Sequence, residues 1–156
     1  YLLYVENIKP HKNISRVILA YYRAKSIAED LPQLVICGRH DQNYNVVSQL
    51  YQSGAIMEPF VKENILFLGY AKYEDLPYLY SGADLFLFPS LYEGFGIPPL
   101  EAMACGTPAL ASNTSSLPEV LGDCALLVDP YNPADIAEGI IKLWNNPSGI
   151  FFTERR

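Results

Sequence analysis

The sequence predicts an α/β domain built on a Rossmann-like, mostly parallel sheet with helices on both faces. Short apolar runs alternate with segments of helical periodicity along nearly the whole chain, and such helices provide the crossover connections that parallel strands require. The length of 156 residues is that of one ordinary domain. With 50% hydrophobic and 18% charged residues, the chain can bury a core.

Six runs are predicted to be strands, because each is a short apolar stretch of the kind found in strands that are buried on both faces. Gly38 and Gly69 close the second and third runs. The six runs are Tyr1–Val5, Gln33–Cys37, Ile65–Leu68, Asp84–Phe88, Pro108–Ala111 and Ala125–Val128.

Six segments between and after these runs are predicted to be helices. The first carries apolar residues at helical spacing behind Asn13, a plausible N-cap, and the fourth has Pro98 at its start and Gly106 just beyond its end. The Asn-Asn-Pro-Ser-Gly stretch at 145–149 marks a break after the last helix. The six helices are Ile14–Ala24, Val46–Tyr51, Leu76–Tyr80, Pro98–Cys105, Leu117–Leu121 and Pro133–Trp144.

Composition excludes several classes of protein. A net charge of −6 argues against non-specific nucleic-acid binding, which depends on Lys and Arg. No apolar run approaches the ~18 residues of a membrane span, so we expect a cytoplasmic domain without a transmembrane segment. Cys37, Cys105 and Cys124 stand in apolar stretches, and we expect them to be reduced and buried.

A phosphate-binding loop is predicted where the fourth strand leads into a helix. Gly94 and Gly96 allow close approach of the backbone, and the free N–H groups of a helix start favour an anion such as a diphosphate. Lys12 stands directly before another helix and would face this turn across the sheet. The alternatives are a tight turn that needs glycine for its own dihedral angles and a solvated lysine.

Two carboxylates, Glu93 and Glu101, bracket this loop eight positions apart, and both can point toward a ligand over the helix start. The alternatives are a solvated loop acid for Glu93 and, for Glu101, an acid favoured by the helix dipole alone. His11 and His40 are isolated loop histidines without a partner at motif spacing, so we expect no catalytic role for either.

Missing motifs narrow the chemistry further. The chain contains no Asp-x-Asp motif, so a metal ion that binds a diphosphate would have no obvious ligands. It also contains no P-loop motif of the NTPases. Pro99 stands where a dinucleotide fingerprint would have its third glycine, which disfavours a dehydrogenase. No Gly-x-Ser-x-Gly elbow is present, which disfavours an α/β hydrolase.

Together these stretches resemble the group 1 glycosyltransferases of family GT4. The resemblance runs through Phe67–Asp84 and Pro89–Pro108 and continues in Ser116–Val120 and Val128–Pro130, so that it covers almost the entire chain. It implies that residues 1–156 are the C-terminal, nucleotide-sugar binding half of a GT-B fold enzyme. The chain begins in a strand without an initiator Met, and we expect the N-terminal acceptor-binding domain to lie outside it.

The resemblance also implies a reaction and roles for residues. A retaining enzyme would move a sugar from a UDP- or GDP-linked donor to an acceptor glycan or lipid-linked glycan, without a metal or other cofactor. Glu93 would hold the donor sugar, Glu101 would accept from the ribose hydroxyls and Lys12 would neutralise the leaving diphosphate. The base of the nucleotide would lie near Tyr70, and Leu100 would line the ribose. The other donor-binding positions implied are Asn7, Arg39, Gly94, Phe95, Gly96 and Ile97.

The chain departs from the family pattern after the first strand. Glu6 stands where the family usually has Gly, and Asn7 stands for the usual Arg partner of the lysine. We expect the loss of that arginine to weaken stabilisation of the leaving group unless Lys9 or Arg39 compensates. We also expect Glu6 to crowd or repel a diphosphate.

Two other functions therefore stay open at this point: a non-catalytic nucleotide-sugar binding or regulatory module, and a nucleotide-sugar epimerase with the same two-domain architecture. We expect the chain alone to bind a donor weakly and to transfer nothing. For the full-length protein we expect a cytoplasmic location, peripheral at the inner face of the membrane.

Overall fold

A computed structural model describes residues 1–39 and 45–146 of the chain. Six parallel strands form one sheet in the order β3-β2-β1-β4-β5-β6. The predicted parallel α/β fold is confirmed, and each predicted strand agrees with the observed one to within one residue at either end. The strands are β1 Leu2–Val5, β2 Leu34–Cys37, β3 Ile65–Gly69, β4 Leu85–Phe88, β5 Ala109–Ser112 and β6 Leu126–Val128.

The helices lie where the periodicity predicted them, with one addition. No periodic pattern predicted α3, because Val61 is its only buried residue and an apolar stripe is therefore missing. His40 and residues 147–149 of the predicted break lie outside the described residues. The helices are α1 Ile14–Ile27, α2 Val46–Gln52, α3 Glu58–Asn64, α4 Leu76–Ser81, α5 Ile97–Ala104, α6 Leu117–Leu121 and α7 Pro133–Asn145.

Alternate residues of each strand point to two separate cores. On β1, Leu2 and Tyr4 belong to the core that the sheet shares with α1, α2, α3 and α7, whereas Leu3 belongs to the core shared with α4, α5 and α6. Both sheet faces are therefore covered, which explains why the strands are apolar runs without alternating polar residues.

The predicted burial of the cysteines is only partly correct. Cys37 at the end of β2 is buried, but Cys105 is half-buried and Cys124 is exposed, and all three are free thiols. Cys124 ends a 3-10 turn, Gly122–Cys124, that has no buried residue, so its apolar sequence neighbours do not place it in the core. Within the described ranges no helix is long and apolar enough to cross a membrane.

The strand order creates a crevice at one end of the sheet. The chain passes from β1 outward to β2 and β3, returns to β4 beside β1, and continues outward through β5 to β6. The loops after β1 and β4 consequently start side by side and lead to helices on opposite faces of the sheet, α1 on one face and α5 on the other. In open parallel sheets ligands bind at such a point.

Candidate functional site

Direct contacts join the loops after β1 and β4. The first passes through a 3-10 turn, Pro10–Lys12, into α1, and the second runs through residues 89–96 into α5. The backbone N–H of Leu91 donates to the carbonyl oxygen of His11 at 2.9 Å. This bond aligns the two loops side by side at the crevice.

Asn13 also links the loop after β1 to the loop after β4. Its buried side-chain amide donates to the carbonyl oxygens of Pro89 at 2.7 Å and Pro130 at 2.8 Å. Asn13 is the N-cap residue of α1, as predicted, but its side chain forms no capping hydrogen bond. With a left-handed backbone, φ 62°, Asn13 instead supplies donors that two buried carbonyl groups need.

Lys12 lies between two carboxylates. Its Nζ atom is 2.9 and 3.1 Å from the two oxygens of Glu93 and 2.8 Å from Oε2 of Glu6. The side chains are only 13% exposed for Lys12, 11% for Glu93 and 16% for Glu6. Burial by itself lowers the pKa of Lys12, but the bonds to Glu6 and Glu93 outweigh it and raise that pKa above 10.5. The ammonium therefore stays charged.

The backbone of Glu93 is held by the loop after β5. Its N–H donates to the hydroxyl of Ser115 at 3.0 Å, and its carbonyl oxygen accepts from Ser115 at 2.9 Å and from Ser116 at 3.2 Å. Ser115 has a left-handed backbone, φ 56°, which is uncommon outside glycine. These contacts keep Glu93 beside Lys12. No motif spacing in the sequence predicted this role of Ser115.

A cleft of about 200 Å³ opens next to this cluster, with walls from the loops after β1, β2 and β3 and from α4 and α5. Three predicted residues, Asn7, Tyr70 and Glu101, line it. Glu6 also lines the cleft while it pairs with Lys12, so the cleft and the cation adjoin. The lining residues are Val5, Glu6, Asn7, Cys37, Gly38, Tyr70, Ala71, Leu76, Tyr80, Pro98 and Glu101.

Gly38 allows the first two strands to end close together in the cleft wall. A Cβ atom at this position would lie 1.9 Å from the carbonyl oxygen of Glu6. Any side chain there would push the loop that carries Glu6 and Asn7 away from β2.

Glu101 is oriented by Tyr80. The Tyr80 hydroxyl, in a residue that is 2% exposed, donates to Oε2 of Glu101 at 3.0 Å. Burial first, and then the neighbouring Glu101, raise the pKa of Tyr80 above its usual 10.0, so the hydroxyl remains a donor. Sequence reasoning assigned no role to Tyr80; its only signal was its place in the stretch Phe67–Asp84 that resembles GT4.

Arg39 stacks on Tyr70, which lines the cleft, and both residues line a second, neighbouring cavity of about 370 Å³. The guanidinium carbon of Arg39 lies 4.6 Å from the centroid of the Tyr70 ring, which is 63% exposed. Among the described residues neither Arg39 nor Lys9 forms an ion pair with Glu6 or Glu93.

The turn before α5 needs its glycine for structural reasons. Gly96 has φ 88°, and a Cβ atom there would lie 2.3 Å from Cδ2 of Leu117 on α6. Gly94 is exposed with open space around it. The tight-turn alternative thus accounts for Gly96, whereas nothing within the fold requires glycine at Gly94.

The remaining predicted donor-binding positions do not line the cleft. Phe95 and Ile97 are 56% and 57% exposed beside it, and Leu100 packs against the core of α4, α5 and α6. Pro98 and Pro99 occupy the first turn of α5 and carry no backbone N–H. The start of α5 therefore offers fewer free backbone N–H groups to an anion than predicted.

Comparison with known proteins places these features in a family. The family model described as "Glycosyl transferases group 1" matches residues 1–155. The O-antigen chain mannosyltransferase B of Escherichia coli is 40% identical over 142 residues, 91% of this chain and 36% of that protein. The O-antigen chain mannosyltransferase RfbU of Salmonella typhimurium is 36% identical over 96% of this chain and 40% of that protein. The chain spans about two fifths of the length of these relatives.

Solved structures share the fold. A sucrose-phosphate synthase from Thermosynechococcus elongatus aligns with a TM-score of 0.78 at 28% identity, over 96% of this chain and 37% of that one. Anabaena Alr3699/HepE, solved in complex with UDP and glucose, aligns with a TM-score of 0.77 at 23% identity, over 96% of this chain and 40% of that one.

Proposed function

The chain belongs to the group 1 glycosyl transferases, and on that premise we propose that it is the donor-binding domain of an enzyme that transfers a mannosyl residue from a nucleoside diphosphate to an acceptor glycan with retention of configuration. The 40% identical relative is a mannosyltransferase, which supports mannose as the sugar. The domain that binds the acceptor would lie in the remainder of a longer protein, because the chain spans only 36% of that relative.

The proposal depends above all on one contact, that between Lys12 and Glu93. These residues lie 81 positions apart and meet at 2.9 Å where the sheet order reverses. A cation at this point can neutralise charge that develops on a leaving diphosphate, and an adjoining carboxylate can hold sugar hydroxyls. Glu101 lines the adjoining cleft and would accept from the ribose.

Tyr70 lies at the edge of the cleft and forms with Arg39 a flat, exposed surface that also faces the neighbouring cavity. We assign the nucleotide base to this edge, because aromatic and guanidinium planes both stack on bases. Gly94, Phe95, Gly96 and Ile97 would meet the sugar and diphosphate from the turn above, and Asn7 would contact the diphosphate from the opposite loop.

The proposal assigns no metal ion to the reaction, because the chain carries no Asp-x-Asp motif. Lys12 and the backbone donors of the turn would stabilise the leaving group instead. In the full-length protein, acceptors that are lipid-linked would place the enzyme at the inner face of the membrane.

Calorimetric titration tests the proposal directly. The chain is titrated with UDP, GDP and ADP and with UDP-glucose and GDP-mannose. We expect binding of one nucleoside diphosphate and of its mannose conjugate. In Glu93→Gln, we expect the gain in affinity from the sugar to disappear while the free diphosphate still binds. Absence of binding for every nucleotide would overturn the proposal, and measurable transfer by the 156-residue chain would contradict the assignment of the acceptor site to another domain.

A second function is a nucleotide-sugar binding module without turnover. The contact of Glu6 with Lys12 favours it, because the cation is already neutralised before any donor arrives. Assay of the full-length protein distinguishes the two functions: a module binds the donor and shows no transfer to any acceptor.

A further inference from the structure

The carboxylate of Glu6 occupies an anion-binding position that the chain itself provides. Its Oε2 accepts from Nζ of Lys12 at 2.8 Å, and its Oε1 accepts from the backbone N–H of Asn7 at 2.9 Å. An ammonium group and a backbone N–H are the donors that proteins commonly present to phosphate oxygens. Glu6 therefore sits where one oxygen pair of a bound phosphate would find both donors.

The net charge around Lys12 is negative and therefore opposes the binding of an additional anion. Lys12 contributes one positive charge, while Glu6 and Glu93 contribute two negative charges in contact with it. Among the described residues Lys12 is the only cation in ion-pair contact with either carboxylate. A diphosphate that approached Lys12 in this arrangement would meet a net negative cluster, so one carboxylate has to leave first.

Glu6 and Glu93 both have a bound backbone, since the N–H of Glu6 donates to the carbonyl oxygen of Cys37 at 3.0 Å. Their carboxylates differ: Glu93 binds Lys12 through both oxygens, whereas Glu6 binds it through one. Glu93 has its backbone N–H and carbonyl group bound by Ser115 and Ser116 from another loop. The carboxylate of Glu6 is held by Lys12 and the adjacent Asn7, the same donors that a phosphate would engage. Glu6 also lines the cleft, so open space adjoins its side chain.

We propose that Glu6 is an internal competitor for the phosphate-binding cation: its carboxylate neutralises Lys12 in the empty site and is exchanged for the diphosphate when the donor binds. This inference rests on the proposed function and adds a determinant of affinity to it. The exchange lowers the affinity for nucleoside diphosphates and favours release of the product, because Glu6 rebinds Lys12 as the diphosphate departs.

Removal of the charge of Glu6 tests the proposal. Glu6→Gln keeps the shape and one acceptor oxygen, and Glu6→Ala removes the competitor entirely and serves if the first variant folds poorly. Glu138→Gln, on an exposed position of α7 that takes part in no ion pair among the described residues, removes one negative charge as a control. Inorganic pyrophosphate, UDP and GDP are titrated calorimetrically into each form at low and high salt.

We expect Glu6→Gln to bind pyrophosphate and the nucleoside diphosphate that the chain accepts about tenfold more tightly than the unchanged chain, since one like charge within a few ångströms of the phosphate is gone. Because salt screens charges, this difference in affinity should be smaller at high salt. Glu138→Gln should bind these anions with the same affinity as the unchanged chain. Equal or weaker binding by both Glu6 variants would overturn the proposal.

The two inferences fail in different ways. Tighter binding of pyrophosphate by Glu6→Gln, without binding of any nucleotide, would support the competitor and overturn the proposed function. Nucleotide binding that is insensitive to Glu6 would do the reverse. Absence of binding for every anion in every form would overturn both.

Discussion

Nζ of Lys12 and Oε1 of Glu93 lie 2.9 Å apart although 81 residues separate them in the chain. Both side chains are nearly buried, so the pair is shielded from solvent more than a surface ion pair would be. Glu6 makes the pair a cluster of three charges, and the first two predictions concern that cluster.

Replacement of Lys12 by methionine should destabilise the chain by about 2–4 kcal/mol, because it leaves Glu6 and Glu93 nearly buried without a partner. Urea denaturation measures this change. The triple variant Lys12→Met, Glu6→Gln, Glu93→Gln removes all three charges and should recover most of the loss. If the single and triple variants are equally unstable, packing of the lysine stem rather than charge accounts for the effect.

The stability that the charge of Lys12 contributes should fall in the alkaline range. The pKa of Lys12 is raised above its ordinary 10.5, so the folded state holds this proton more tightly than the unfolded state. The contribution is therefore fully present below pH 10.5 and is lost as pH rises through the folded pKa. The difference in unfolding free energy between the unchanged chain and the triple variant should be constant from about pH 7 to 10 with respect to Lys12 and fall above that. A decline centred near neutral pH would contradict the assignment.

Glu101→Ala should weaken nucleoside diphosphate binding by about 1.5–3 kcal/mol, roughly ten- to over a hundredfold, because it removes an acceptor of ribose hydroxyls. It also leaves the Tyr80 hydroxyl without its acceptor, which should lower stability by about 1–2 kcal/mol. Glu101→Gln retains an acceptor for Tyr80 and should keep the melting temperature. Calorimetry and thermal denaturation together separate the two effects; unchanged affinity in the alanine variant would leave Glu101 with a structural role alone.

Tyr80→Phe should reduce the ability of the site to recognise ribose while it preserves the fold. The hydroxyl orients Glu101, so its loss should weaken a nucleoside diphosphate about three- to tenfold. The 2′,3′-dideoxy analogue of the same nucleotide, which has no hydroxyls for Glu101 to accept from, should bind both forms equally. An equal loss for both ligands would indicate a general disturbance of the cleft instead of a positioning role.

Gly96→Ala should cost about 2–4 kcal/mol of stability, since a Cβ atom at φ 88° would collide with Leu117 of α6. Gly94→Ala is the matched control, because that position has open space and no positive φ. We expect its unfolding free energy to change by less than about 0.5 kcal/mol. Chemical denaturation of both variants provides the measurement, and similar losses would show that the turn tolerates no Cβ at either glycine.

Much of the site was predictable in its parts but not in its assembly. The pattern of the sequence located Lys12, Glu93 and Glu101 because glycine, lysine and acidic residues at strand ends and helix starts have recognisable chemistry. It did not reveal Ser115 or Tyr80, whose hydroxyls hold Glu93 and Glu101, because a hydrogen bond across 21 or 22 residues leaves no local periodicity. Asn13 was recognised as a helix boundary, yet its bonds to Pro89 and Pro130 depend on loops that are distant in the chain.

The sequence by itself determined the alternation of strands and helices, since apolar periodicity and glycine or proline punctuation are local properties of the chain. Only the tertiary structure decided that β1 lies beside β4. Because the two strands are adjacent, Glu6 and Glu93 both form ion pairs with the ammonium group of Lys12 and neutralise its charge. Electrostatic interaction depends on distance in space, which a linear sequence does not contain until the sheet has paired its strands.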